Sequence, residues 1–376
     1  MQSEAFEKAR EIRIWVPFSY TETKESYPVI YLFDGQFDAL FDMTTGISDY
    51  MSQTGLASEY IIVGVKTEDR PKEFTPTFLN PKTGANWKDK GDVGNAKLLE
   101  IHLQKEVFPF VEKQYRTTPF RVAIGHSLGG TFLLNTILDQ PSFFKSIIAI
   151  SPNITYDFEQ LVTRFSEFTD KNKVLNKTIY ISTGTAERLE EVFKPSTIKL
   201  DSVLKNADLK GLNYRFEVLE GLNHSETPIV SISKGMNQIS KIWNLSEVQQ
   251  EHFLKDTSDT FINHLKAFYK NKSRWAGYDI IPSADEANGF GYFVFHEGDA
   301  NLGLEIIDWA LKLYPNNVNL YDSKGEMLEA QEKFKEASVY YKKALDKLET
   351  KKEEYDEENY NYYKAIYLKN LERVNK

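Results

Sequence analysis

Across the first 245 residues, short β-branched and aromatic runs alternate with longer amphipathic stretches. Runs at 11–17, 28–33, 60–66, 121–125, 146–151, 178–183 and 214–219 predict strands. Helical periodicity predicts helices over 95–114, 129–140, 155–168, 196–208 and 226–243. Several strands, SIIAIS among them, are apolar on both faces, as strands buried in a parallel sheet must be. The expected fold class is α/β, with three layers around a mainly parallel sheet. Residues 67–94 follow no such period. They carry Pro71, Pro76, Pro81, Gly84, Gly91 and Gly94 beside Phe74, Phe78 and Trp87, which predicts a long loop of the kind that shapes a binding site.

Beyond residue 245 the texture changes. A polar helical stretch over 246–283 ends near Pro282, and a 34-residue period follows. Gly291 recurs as Gly325, Gly303 as Ala337, Ile307 as Tyr341 and Ala310 as Ala344, while Pro315 closes the first unit. The pattern resembles the tetratricopeptide repeat, two helices per unit with small residues where they cross. Lys324 and Glu349 depart from that pattern, and Tyr360, Tyr363 and Tyr367 mark a capping helix over 352–376. The expected organisation is a catalytic domain at 1–245, a helical linker at 246–283 and repeats with a cap at 284–376.

Composition narrows the function classes. A net charge of −9 argues against a nucleic-acid partner, because binding a phosphate backbone by counterion release needs basic surface. There is no cysteine, so thiol nucleophiles, disulfides and zinc–thiolate sites are excluded. No apolar run approaches the roughly 18 residues of a membrane span. The first residues, MQSEAFEKAREIRIWVP, lack the apolar core of a signal peptide. The compartment stays open: cytoplasmic, or periplasmic if a leader was removed.

The chemistry concentrates at Gly125-His126-Ser127-Leu128-Gly129, followed by Gly130. This is the G-x-S-x-G nucleophile elbow of α/β-hydrolases, and it lies between a predicted strand and a predicted helix. The serine sits on a strained turn, and a side chain at either flanking glycine is expected to collide with neighbouring backbone. A serine hydroxyl needs a base. Of the six histidines, only His224 lies after Ser127, within the first domain and in a loop that follows a strand. The acid should follow the strand TIYIST, and no aspartate occurs from 171 to 200. Glu187 is the first choice and Glu191 the second. Glu190 and Glu191 also read as a solvated pair at a helix start, and a Ser–His dyad without an acid remains open. The oxyanion hole is expected from the backbone N–H groups of Leu128 and Gln36, with Gly35 allowing the tight turn of Phe33-Asp34-Gly35-Gln36.

YPVIYLFDGQ, GHSLGG and the helix AKLLEIHLQKEVFPFVEKQYR together resemble the esterase D-like family of α/β-hydrolases, over roughly residues 3–243. RPKEFTPTF is similar to a stretch of its siderophore-esterase-like branch. The resemblance implies an α/β-hydrolase fold and a serine esterase acting through an acyl-enzyme. It matches Asp34, Gly35 and Gln36 to the oxyanion loop, Ser127 to the nucleophile and His224 to the base. No cofactor or metal is implied. The expected partner is a small-molecule ester, and the repeats offer a surface for a protein partner or for self-association. The competing reading is an inactive hydrolase scaffold whose repeats bind a protein.

Overall fold

A computed structural model describes residues 1–21, 24–243 and 245–376. The chain divides into two compact units, Met1–Leu245 and Ser246–Lys376. In the first unit the strands are β1 (Gln2–Ser3), β2 (Lys8–Ala9), β3 (Ile12–Trp15), β4 (Tyr27–Phe33) and β5 (Ile61–Val65). They continue with β6 (Thr117–His126), β7 (Ser146–Ile150), β8 (Val174–Gly184) and β9 (Lys210–Leu219). The helices are α1 (Asp38–Gln53), α2 (Arg70–Phe74), α3 (Pro81–Trp87), α4 (Ala96–His102) and α5 (Phe108–Gln114). Then come α6 (Leu128–Asp139), α7 (Tyr156–Lys171), α8 (Glu187–Asn206) and α9 (Thr227–Trp243).

Seven strands form one sheet in the order β3-β5-β4-β6-β7-β8-β9. β3 runs antiparallel to β5, and every other neighbouring pair is parallel. β4, β5 and β7 are buried along their whole length, the outcome expected of strands apolar on both faces. Phe33, Phe74, Phe132 and Phe144 interlock between the sheet and its helices with ring centroids about 5–6 Å apart. This is the three-layer α/β-hydrolase arrangement, and it carries the loops at the C-terminal ends of β4, β6, β8 and β9 to one edge of the sheet.

Several elements differ from the sequence expectation. α1 lacks a clear apolar stripe because its buried face combines Phe41 and Met51 with Thr44 and Ser48. α8 starts at Glu187 rather than near 196, and Pro195 lies inside it, where a proline would ordinarily mark a boundary. Residues 67–94 are not one long loop, since α2 and α3 each begin with a proline in the first turn, below an Asp69 or Asn80 cap. Asp157 ties this segment to α7 by accepting from Leu79 N (2.7 Å), Asn80 N (3.1 Å) and the Thr83 hydroxyl. Asp157, Phe158 and Glu159 adopt left-handed backbone at the start of α7.

The second unit is all helical: α10 (Glu247–Lys255), α11 (Phe261–Ala276), α12 (Ala284–His296), α13 (Ala300–Leu313), α14 (Val318–Ala330), α15 (Phe334–Thr350) and α16 (Glu357–Val374). α12 packs on α13 and α14 on α15, each pair through a glycine opposite a bulky side chain. A Cβ on Gly291 would lie 2.6 Å from Ile307, and one on Gly325 would lie 2.5 Å from the Tyr341 ring. The two contacts are 34 residues apart. Lys324, the departure from the repeat pattern, pairs with Asp308 and lies over the Tyr340 ring.

Candidate active site

Ser127 joins β6 to α6 with φ 58° and ψ −119°, a conformation that non-glycine residues rarely adopt. Its N–H donates to Ile150 O at 2.9 Å, and its side chain makes no capping bond to α6. The flanking glycines do different jobs. A Cβ on Gly125 would lie 2.6 Å from the Gly129 carbonyl, so the crossing of strand and helix needs a bare backbone there. A Cβ on Gly129 would find its nearest neighbours at 3.7 Å, ordinary contact. The expectation that both flanking positions exclude a side chain therefore holds at Gly125 and fails at Gly129.

His224 lies in the loop between β9 and α9, with 11% of its side chain exposed. Its Nδ1 is 2.6 Å from Glu190 Oε1. Its ring lies 4.4 Å from that of His126, the residue before Ser127, and meets Phe193 edge-on at 5.5 Å. The loop thus docks directly beside the elbow. Below it, Thr185 N and Ala186 N donate to Leu222 O at 3.0 and 3.1 Å, fastening the loop after β8 to the loop after β9.

The carboxylate at the imidazole is Glu190, and not Glu187 or Glu191. Glu187 is the first residue of α8, with φ 69°, and is exposed, as is Glu191. Glu190 has no side-chain exposure, which overturns its reading as half of a solvated pair. Its second oxygen accepts from Thr183 Oγ1 (2.8 Å) and Gly184 N (2.6 Å). Burial alone would raise its pKa. The hydrogen bonds from His224, Ser151, Thr183 and Gly184 outweigh it and hold the group at about 2. Sequence did carry a signal for this residue. Glu190, Phe193, Thr197, Leu200 and Leu204 follow a 3-4-3-4 spacing, the buried stripe of α8. A glutamate in phase with that stripe must be buried and so must have partners.

The loop after β4 approaches the elbow from the other side. Asp34 has φ 64°, and a Cβ on Gly35 would lie 2.5 Å from the Gly64 backbone, so the turn needs glycine there. Gly35 N donates to Val65 O at 2.9 Å. The Gln36 side chain donates to Asp34 Oδ1 at 3.0 Å and accepts from Thr67 N at 2.9 Å. Arg70 grips both Asp34 oxygens at 2.9 and 3.0 Å, and reaches His126 O at 3.4 Å. Burial nevertheless pushes the Asp34 carboxyl above the ordinary carboxylate range. Arg70 had no site role in the sequence beyond its place at the start of RPKEFTPTF, because only the fold brings the start of α2 against the β4 loop. Leu128 opens α6, so its N–H is among the first-turn donors that have no acceptor within the helix. Among the described residues, no three His, Cys, Asp or Glu side chains gather as a metal site would require, and no helix is long and apolar enough to cross a membrane.

Residues 3–235 match the family described as "Putative esterase". The ferri-bacillibactin esterase BesA of Bacillus subtilis (strain 168) is 27% identical over 175 residues, 43% of this chain and 60% of that protein. The chain spans about 60% of the length of the curated relatives it matches. Among solved structures, an IroE-like serine hydrolase from Shewanella oneidensis superposes with TM-score 0.65 at 20% identity, covering 88% of this chain and 96% of that one. A protein from Capnocytophaga ochracea DSM 7271 gives TM-score 0.70 at 16% identity, covering 92% of both chains. Both likenesses extend past residue 245, so the shared fold includes the helical unit. The elbow, the loops around it and the match over most of the first unit place this chain in the putative esterase family.

Proposed function

We propose that this chain hydrolyses a carboxylic ester through Ser127, His224 and Glu190. The observation that carries the reading is the 2.6 Å contact between His224 Nδ1 and a fully buried, ionised Glu190, set beside a strained serine elbow. Glu190 fixes the tautomer in which Nδ1 carries the proton, which leaves Nε2 to accept. Ser127 Oγ attacks the ester carbonyl carbon while its proton passes to His224 Nε2. The tetrahedral oxyanion is held by the N–H groups of Leu128 and Gln36. When it collapses, the alcohol leaves with the proton from His224. Water, activated by the same nitrogen, then attacks the acyl-enzyme, and the acid departs from a regenerated serine. The imidazolium formed in each half is stabilised by Glu190.

The family match and the likeness to an esterase support ester hydrolysis over the scaffold reading. A siderophore ester is the substrate class suggested by the esterase relative. A screen of acyl, aryl and lactone esters, a trilactone included, tests this. Turnover of at least one ester, lost in Ser127→Ala, is expected, and a folded protein inert toward every class contradicts it. We read α12–α15 as two tetratricopeptide-type units, supported by the Gly291–Ile307 and Gly325–Tyr341 contacts 34 residues apart.

A further inference from the structure

We infer that His126 is a positioning residue that fixes the loop carrying the base, and so holds His224 over Ser127. The inference rests on the triad proposed above. His126 is the last residue of β6 and the residue immediately before Ser127 in the elbow. Its Nε2 lies 2.9 Å from the backbone oxygen of His224. A carbonyl can only accept, so Nε2 carries the proton and donates. The two imidazole rings also lie in tilted contact, 4.4 Å apart and inclined at 38°. The same carbonyl accepts from Thr227 Oγ1 at 3.0 Å, so two donors from different elements converge on the backbone of the base.

Chemistry favours a neutral imidazole in this place. Burial, then the charges of His224 and Arg70, lower the His126 pKa to about 3, so it adds no positive charge beside the imidazolium that forms on His224. A permanent cation there would oppose proton transfer from the serine. A neutral ring packs beside His224 without that penalty. Glu190 holds the side chain of His224 at Nδ1 while His126 holds its main chain, and together they define position and tautomer.

The test is a cycle in the full chain, combining His126→Phe and His126→Gln with and without His224→Ala. Phenylalanine keeps a flat ring without the donor, and the Gln amide nitrogen can replace Nε2. Each variant is first checked for cooperative thermal unfolding, and His126→Asn, whose amide stops short of the carbonyl, is the second probe if phenylalanine does not fold. His126→Phe should lower kcat by roughly threefold to tenfold, the scale of one lost hydrogen bond with Thr227 Oγ1 still donating to the same carbonyl, with KM within about twofold. His126→Gln should recover most of that loss. In the His224→Ala background neither substitution should lower the residual rate further, because the residue acts through His224. The same proportional loss in that background would show that His126 supports only the elbow, and would overturn the inference. A phenylalanine variant with the parent kcat, beside an inactive His224→Ala, would overturn it too. Should His224→Ala itself keep the parent rate, the base assignment fails, and this inference with it.

Discussion

Glu190 and His224, 34 residues apart in sequence, meet at 2.6 Å through a carboxylate that has no exposed surface. Because Glu190 only orients and stabilises the imidazolium, Glu190→Gln should lower kcat by on the order of 10³–10⁴ while leaving folding cooperative. Glu187→Gln and Glu191→Gln, both on the exposed start of α8, should stay within about twofold of the parent. Steady-state kinetics on any turned-over ester separates the three. A large loss at Glu187 instead would move the acid back to that position.

The same pair predicts an acid-stability signature. The Glu190 pKa is depressed to about 2 in the folded protein, against roughly 4.3 unfolded. Its contribution is therefore complete above pH ~4.3 and is lost as pH falls toward 2, up to about 3 kcal/mol over that window. Urea midpoints at pH 5 and pH 3 should fall further for the parent than for Glu190→Gln. Equal losses would mean that Glu190 is not held ionised by its neighbours.

Gly125 and Gly129 should part company. Gly125→Ala drives a Cβ to 2.6 Å from backbone and is expected to cost about 1–3 kcal/mol or more and to disable the elbow. Gly129→Ala finds 3.7 Å of room inside α6 and should be neutral or up to about 1 kcal/mol stabilising. Thermal unfolding of the two variants decides it, and equal damage at both would contradict the geometry.

Arg70 is the counter-ion of the buried Asp34, whose side chain is 3% exposed against 32% for the arginine. Arg70→Ala should destabilise by about 2–3 kcal/mol, discounted for the arginine's exposure, because it strands a buried carboxylate. Adding Asp34→Asn should restore part of that loss, since the neutral amide no longer needs the charge. If the double variant is less stable than Arg70→Ala alone, the pair is not the reason the loop keeps its shape.

The sheet was legible because its inner strands are apolar on both faces, and the elbow because glycine spacing and a following helix are local signals. α1 was hidden because Thr44 and Ser48 stand where aliphatic residues would have shown the period. The start of α8 was hidden by Pro195, and with it the phase that marks Glu190 as buried. The small β1–β2 hairpin has strands of two residues each, too short for any period to register. Arg70 and His126 act through partners 36 and 98 residues away, distances over which no sequence period speaks.

The central claim is that Ser127 is an activated nucleophile. A fluorophosphonate probe followed by peptide mass spectrometry tests it most directly, with hydrolysis of a turned-over ester measured in parallel. The account predicts one equivalent of label on the peptide bearing Ser127, and no label in a cooperatively folding Ser127→Ala. It also predicts loss of hydrolysis on the order of 10⁶ in that variant. Label on a different residue, or a folded Ser127→Ala that turns over ester at the parent rate, would contradict it.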